Sequence, residues 1–195
     1  RHTRCAIKSR GLGDVYKRQP PTCFPLPEVE RVKIDKGCSD EMEKRLISGI
    51  LQRADLNAFR VSSIVKSGDV GIIFQKLAEE RVNIEFVNQI PLKNDCIDVI
   101  LCVDKKDTQS TRALLEEVKI NIKARDISSL DSVGILSLFP HREHAVISGT
   151  IMQTLSDAQI TLFAMASSLS AISCVIKEEQ VSNTLSLLSR QFGLS

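Results

Sequence analysis

From residue 42 onward the apolar positions fall into short runs of two kinds, and the kinds recur in order. Val61-Ser62-Ser63-Ile64-Val65 reads as a strand and is echoed by Ile135-Leu136-Ser137-Leu138-Phe139. Each leads through a Gly- or His-containing loop into a helical pattern. Val70, Ile73, Phe74, Leu77 and Ala78 recur at spacings of three and four in the first, and Val146, Ile147, Ile151, Leu155 and Ala158 nearly repeat this in the second, so each helix has one buried face. Paired strand signals follow, residues 82–87 with 96–103 and 160–165 with 171–176, each pair a hairpin. A second helix closes both copies, carrying Thr111, Leu114, Leu115 and Val118 in one and Val181, Leu185, Leu188 and Phe192 in the other. Asp107 and Glu178 stand near these helix starts, where the dipole favours an acid. The chain is therefore a repeat with a period in the seventies, built as strand, helix, hairpin, helix.

A fourth strand per unit would close a ferredoxin-like βαββαβ sandwich, an α+β fold in which helices cover one face of an antiparallel sheet. The candidates are residues 121–127 after the first unit and 46–51 ahead of both. Only Gly193-Leu194-Ser195 follows the last helix pattern. The second unit is thus expected either to lack its last strand or to borrow the one at 46–51.

The first forty-one residues differ from this pattern. They hold nine of the 26 Lys+Arg, six of the 24 Asp+Glu, four of the six Pro and the sole tyrosine, Tyr16, with no apolar periodicity, as expected of a segment that cannot bury a core. Asp14-Val15-Tyr16-Lys17-Arg18-Gln19 is also what the end of a transposon adaptor used in sequencing libraries encodes. The expectation is that residues 1–41 are a disordered leader arising from an adaptor or upstream translation, with Met42 as the native start; a genuine disordered leader is the alternative. Residues 42–128 then form the first unit and 129–195 the second.

Charge and cysteine usage narrow the function. A net charge of +2 predicts no polyanion partner, and no run approaches the length of an apolar membrane span, so the chain is expected in the cytoplasm with neither nucleic acid nor membrane as partner. Outside Tyr16 there is no Tyr or Trp, which removes the stacking platform of an RNA-binding sheet. Cys5, Cys23, Cys38, Cys96, Cys102 and Cys174 contain no CxxC pair and read as reduced thiols; Cys102 and Cys174 occupy corresponding places in their repeats and read as small buried hydrophobes. His141-Arg142-Glu143-His144 lacks the HExxH spacing and a third ligand, and reads as a solvated loop after Pro140. No phosphate-binding glycine motif occurs. Neither catalysis, a metal nor a cofactor is expected.

What remains is Lys66-Ser67-Gly68-Asp69, a turn between a strand and a helix start. Glycine would let the chain adopt a positive φ and bring backbone N–H groups close to a carboxylate, while Glu85 at a neighbouring strand end would meet an ammonium group. Such a pair suits a zwitterion, although a glycine before a helix is most simply just a turn.

The two repeats resemble the paired ACT domains of the aspartokinase regulatory region. The resemblance covers nearly all of residues 46–195 and is carried by Phe74-Gln75-Lys76-Leu77-Ala78-Glu79-Glu80-Arg81-Val82-Asn83-Ile84-Glu85-Phe86-Val87-Asn88-Gln89, similar to the family's helix-to-strand junction, and by Ser167-Ser168-Leu169-Ser170-Ala171-Ile172-Ser173-Cys174-Val175-Ile176, similar to the strand of its second unit. The loops agree too, with residues 91–95 extending the first hairpin and 140–144 extending the second strand-to-helix loop. The resemblance implies two tandem ACT units, with the strand at 46–51 lent to the second unit's sheet. It also implies an effector site at an ACT–ACT interface that binds lysine or threonine. Carried over, Lys66, Ser67, Gly68 and Asp69 form the loop that holds the effector's charged ends, and Asn83, Ile84, Glu85 and Gln89 supply the facing strand. The family's Asp-Lys-Pro-Gly turn is Val65-Lys66-Ser67-Gly68 here, and in the second copy Ala145-Val146, Thr161 and Leu169 replace Pro-Gly, Asn and Glu, which predicts a degenerate second site.

No Lys-Phe-Gly-Gly-Thr-Ser kinase motif precedes the repeats. The expected function is therefore a non-enzymatic amino-acid sensor, a homodimer or a subunit bound to a catalytic chain, acting by ligand-linked change at an interface. The alternatives are an assembly domain with lost effector sites and the C-terminal fragment of a full aspartokinase.

Overall fold

A computed structural model describes residues 46–65, 68–93, 95–141 and 144–194. The expectations for the 1–41 leader and for Met42, together with Lys66 and Ser67 of the candidate site, lie outside these residues. The elements are β1 (Ile47–Ile64), α1 (Asp69–Glu79), β2 (Ile84–Pro91), β3 (Ile97–Asp104), α2 (Thr108–Lys119), β4 (Asp126–His141), α3 (His144–Asp157), β5 (Ala164–Ser167), β6 (Ile172–Lys177) and α4 (Val181–Gln191), with a 3-10 turn ahead of both α2 and α4. One antiparallel sheet carries all six strands in the order β2-β3-β1-β4-β6-β5.

The runs at 46–51 and 61–65, read as separate strands, are the two ends of a single 18-residue strand. Likewise β4 joins Ile127 to Phe139 without a break. The first half of β1 pairs with the second half of β4 (Gly49 with Phe139, Arg53 with Ile135), and the second half with the first half of β4 (Ala58 with Leu130, Val61 with Ile127). β3 joins only the second half of β1, and β6 only the second half of β4. Each half-sheet is thus a four-stranded ferredoxin-like sheet, and each borrows its last strand from the long strand that opens the other.

Leu56 pairs with Val133 at the crossing point, an approximate two-fold axis relating the halves. On either side each long strand has one extra residue, Asp55 (φ 57°) in β1 and Ser132 (φ 55°) in β4. Such bulges bend a strand and sharpen its twist. Each stranded backbone amide finds a side-chain acceptor in the unit that its half-strand serves: Ser132 N–H donates to Asn57 Oδ1 at 2.8 Å, and Asp55 N–H to Glu178 Oε1 at 3.3 Å.

Three apolar clusters follow. Phe59, Val61, Val99 and Leu101 of the first half-sheet pack under α1 and α2, against Ile73, Leu77, Leu115 and Val118. Leu136, Leu138, Ile172 and Cys174 of the second pack under α3 and α4, against Ile147, Ile151 and Leu188. The faces turned away from the helices meet each other: Leu56, Ala58, Phe86 and Cys102 join Val133, Ile135, Ala164 and Val175. The bent sheet brings its two edge strands together, with the Asn88 amide donating to the Met165 carbonyl at 2.9 Å.

Several boundaries differ from expectation. The 121–127 strand begins only at Asp126, because α2 ends in a left-handed residue, Lys123 (φ 50°), whose turn closes with Ala124 N–H to Lys119 O and tucks Ile122 into the core. The same six-to-one closure ends the other three helices, with Arg81, Gln159 and Gly193 at the positive-φ position. Of the loop expected at 140–144, β4 runs through His141 and α3 starts at His144, while residues 142 and 143 lie outside the described residues. Cys102 and Cys174 are not equivalent, since Cys102 pairs with Ala58 and lies in the inter-sheet core, whereas Cys174 pairs with Leu136 under the helices. Burial pushes both thiols up to about 12, so neither is a reactive thiolate at neutral pH.

Candidate functional site

The end of β1 nearest Gly68 is anchored by a buried carboxylate on β3. Between Val61 and Ile64 the β1–β3 register slips, and Ser63 takes a left-handed φ of 56°. The buried carboxylate of Asp98 on β3 holds this kink, accepting from Ser63 N–H at 2.8 Å and Arg60 Nε at 3.0 Å, with Arg60 Nη2 on the same oxygen as Nε. Ser62 O accepts from Arg125 N–H at 2.8 Å just before β4. Strand, bulge and neighbouring turn are thereby tied together at the end of the sheet from which α1 departs.

Gly68 caps α1 at φ −64° and ψ −26°, an ordinary right-handed conformation, so the expected positive φ is not found. A Cβ added at Gly68 would meet nothing within 4 Å. Asp69 is the first residue of α1 and its only acid in the first turn, where it complements the helix dipole.

Asn83, Ile84 and Glu85 sit at the opposite end of the same half-sheet. Ile84 pairs with Val103, near the end of β3, while Pro91 pairs with Ile97, which in turn pairs with Ile64. At about 3.3 Å per strand residue, the two ends of β2 are roughly 20 Å apart. One protomer therefore does not bring Gly68 and Asp69 to Asn83, Ile84 and Glu85. Gln89, exposed on β2 and paired with Val99, lies toward the Gly68 end.

At the Glu85 end the structure adds residues the sequence reading missed. The Asn83 amide donates to Glu85 Oε1 at 2.8 Å. Arg53 Nη2, from the half of β1 that belongs to the second half-sheet, lies 3.7 Å from the same oxygen and 3.1 Å from Asp104 Oδ2. Lys106 Nζ approaches Asp104 Oδ2 at 3.8 Å, and Lys105 pairs with Glu178 across the two-fold at 3.7 Å. Arg53 was invisible as a site residue because it lies between two runs read as separate strands. For Asp98 a signal existed: it is the lone charge in the apolar run Ile97-Asp98-Val99-Ile100-Leu101.

The second unit has none of this chemistry at matching places. Register places Ser137 where the first unit has Arg60, and Ala171 where it has Asp98; Ser137 and Ser173 instead share a hydroxyl hydrogen bond at 2.7 Å. Ala145, Val146, Thr161 and Leu169 are exposed, Leu169 almost completely. A shallow groove of about 250 Å³ runs between α1 and α2, lined by Lys76, Glu80, Ser110 and Glu117, away from every expected site residue. Among the described residues no cluster of His, Cys, Asp and Glu could hold a metal, and no helix is long and apolar enough to cross a membrane.

No family model matches the chain. The aspartokinase of Corynebacterium glutamicum is 23% identical over 133 residues, 66% of this chain and 32% of that protein, so the chain spans about a third of the length of the curated relative it matches. Among solved structures, aspartokinase alpha and beta subunits superpose with a TM-score of 0.68 at 22% identity, over 76% of this chain and 99% of that one. The ligand-free regulatory subunit of aspartate kinase from Thermus thermophilus gives 0.67 at 18%, with 76% and 99% covered. This chain has the fold of the aspartokinase regulatory region. Its six strands and four helices thus form two ferredoxin-like units, and the exchange of long strands is their junction. E. coli aspartokinase III, solved with lysine and aspartate, shares the fold with a TM-score of 0.57 at 15% identity, over 76% of this chain and 33% of that one.

Proposed function

We propose that the chain is a non-catalytic, amino-acid-sensing regulatory protein that passes ligand binding to an interface with a second copy or a catalytic chain. The observation that carries this reading is coverage: 76% of this chain matches 99% of a regulatory subunit, while E. coli aspartokinase III carries lysine in a structure of the same fold. The proposed effector is a small zwitterion of the lysine or threonine class. Its carboxylate meets the start of α1 at Lys66, Ser67, Gly68 and Asp69, and its ammonium meets Asn83, Ile84 and Glu85, with Gln89 alongside.

Because these two groups lie at opposite ends of one half-sheet, the site is completed between two chains. β2 is one of the two edge strands of the sheet, and Val87, Ile90 and Leu92 on or beside it are about two-fifths exposed. Antiparallel pairing of β2 with its copy sets the start of one β2 against the end of the other. That arrangement carries Asn83 and Glu85 of one protomer toward Gly68 and Asp69 of the partner, and it covers an apolar edge that would otherwise template aggregation.

The test is a thermal-shift panel of the twenty amino acids on the full chain, read with an extrinsic dye. A ligand at one hundred times its dissociation constant adds about 2.7 kcal/mol, several degrees for a domain of this size. Gly68→Val should abolish the shift without lowering the unliganded Tm, since a Cβ at this position meets nothing within 4 Å. No shift from any amino acid at millimolar concentration would overturn the sensor reading and leave an assembly module.

A further inference from the structure

Glu85, assigned above to the effector's ammonium group, already has a cation beside it. Arg53 Nη2 lies 3.7 Å from Glu85 Oε1, beyond hydrogen-bonding distance, while its stronger contact is the 3.1 Å bond to Asp104. The Asn83 amide holds the same Glu85 oxygen at 2.8 Å. Arg53 Nε is buried with no hydrogen-bond partner, so the guanidinium uses little of its five-donor capacity where it stands. It is a strong anchor to Asp104 and a weak, displaceable neighbour to Glu85. Its backbone lies on the second-unit half of β1, two residues before the bulge at Asp55 whose amide rests on Glu178. The Arg53–Glu85 contact therefore joins the two units.

We infer that Arg53 is the resident counter-ion of the effector position: an incoming ammonium group reaches Glu85 by exchange with Arg53, which withdraws onto Asp104. This rests on the reading of Glu85 as an effector residue and adds to it a competitor and a link to the second unit. Arg53 thereby sets the affinity threshold for amino-acid ligands. It also biases the site toward compounds whose cation binds Glu85 better than a guanidinium already tethered to Asp104. Both side chains retain some solvent access, about a quarter and a fifth, so the competition is modest; removing it should tighten binding about threefold, the scale of a partly exposed ion pair.

The experiment is isothermal titration of the full-length wild type, Arg53→Gln, Arg53→Lys, Glu85→Gln and the Arg53→Gln/Glu85→Gln double variant with lysine, threonine and then the other amino acids. Circular dichroism confirms the fold of each protein, and Arg53→Lys keeps the test alive if the loss of charge beside Asp104 unfolds Arg53→Gln. The expected result is tighter binding to Arg53→Gln, a smaller gain for Arg53→Lys, and no gain from Arg53→Gln in the Glu85→Gln background. Binding to Arg53→Gln alone, with none to wild type, supports the same exchange in a stronger form. If wild type binds and both folded Arg53 variants bind equally or more weakly, the counter-ion role is wrong while the sensor reading stands. If no protein binds any amino acid, both fall.

Discussion

Where the opening strand of each unit leaves the two-fold, the halves solve one packing problem in opposite ways. In the first unit the position after Leu56 is Asn57, whose amide donates to Thr108 Oγ1 at 2.8 Å while its carbonyl accepts the Ser132 bulge amide. In the second unit the position after Val133 is Gly134, and where Thr108 opens α2, Val181 opens α4. A Cβ on Gly134 would stand 2.4 Å from Val181 Cγ2 and 3.2 Å from Arg53 O. One unit fills the gap beneath its second helix with a hydrogen-bonded pair, the other with a valine methyl against bare backbone. Equal folds do not require equal chemistry, but within each unit the two partners must match. The same contrast runs through the sites, where Asp98 and Arg60 of the first unit correspond in register to Ala171 and Ser137 of the second.

The sharpest way to break the comparison is Gly134→Val, which should cost about 3 kcal/mol because the clash is with packed side chain and backbone; chemical denaturation of the full chain measures it. Gly134→Asn should also destabilise, and Val181→Thr should recover part of that loss by transplanting the first unit's pair. A strictly additive double variant would mean that the pairs are not exchangeable. Next comes Asp98→Ala, which leaves the Ser63 amide and Arg60 without their acceptor and should cost about 2 kcal/mol, whereas Ala171→Ser at the matching place should stay within about 0.5 kcal/mol. Hydrogen exchange on Asp98→Ala should show faster exchange at Ser63 than at Ser173.

Smaller effects attend the helix ends. Only α4 places glycine, Gly193, at its left-handed terminal position; α1 and α3 use Arg81 and Gln159. Arg81→Gly should therefore raise stability by up to about 1 kcal/mol, and Gly193→Ala should lower it by a similar amount, both readable as shifts in Tm. The smallest effect at neutral pH is that of the cysteines. Cys102 and Cys174 are raised from 9.0 to about 12 by burial, so the native state keeps protons that the unfolded chain releases. Their contribution is constant below about pH 9 and declines as pH climbs from about 9 toward 12. Replacing both with alanine should flatten that part of the stability–pH curve, and a slope unchanged by the replacement would show that other groups set it.

The periodic elements were legible because they answer to local rules: apolar residues every three or four positions marked α1 and α3, and Val70, Ile73, Leu77, Ile147, Ile151 and Leu155 are buried, while Ala78 and Val146 of the same pattern are exposed. The repeat and its hairpins were legible for the same reason. The union of 46–51 and 61–65 into one strand was not, because the intervening Gln52-Arg53-Ala54-Asp55 looks like a loop until both of its edges have partners. Nor was the helix-ending turn at Lys123, since nothing in a lysine advertises a positive φ. The site was half legible: residue types suited to a zwitterion could be named, while their separation by the length of β2 and the presence of Arg53 beside Glu85 could not.

The sequence by itself determined the order of helices and hairpins and most of the buried positions of the helices, because periodicity is a property of a few consecutive residues. Only the tertiary structure decided that β1 and β4 serve both units, that Cys102 and Cys174 lie on opposite faces, and that Arg53 reaches across to Glu85. Those outcomes depend on strand register and on two bulges. A shift of one residue in pairing turns every side chain to the other face, and no local pattern in this chain specifies which residue of β1 meets which residue of β4.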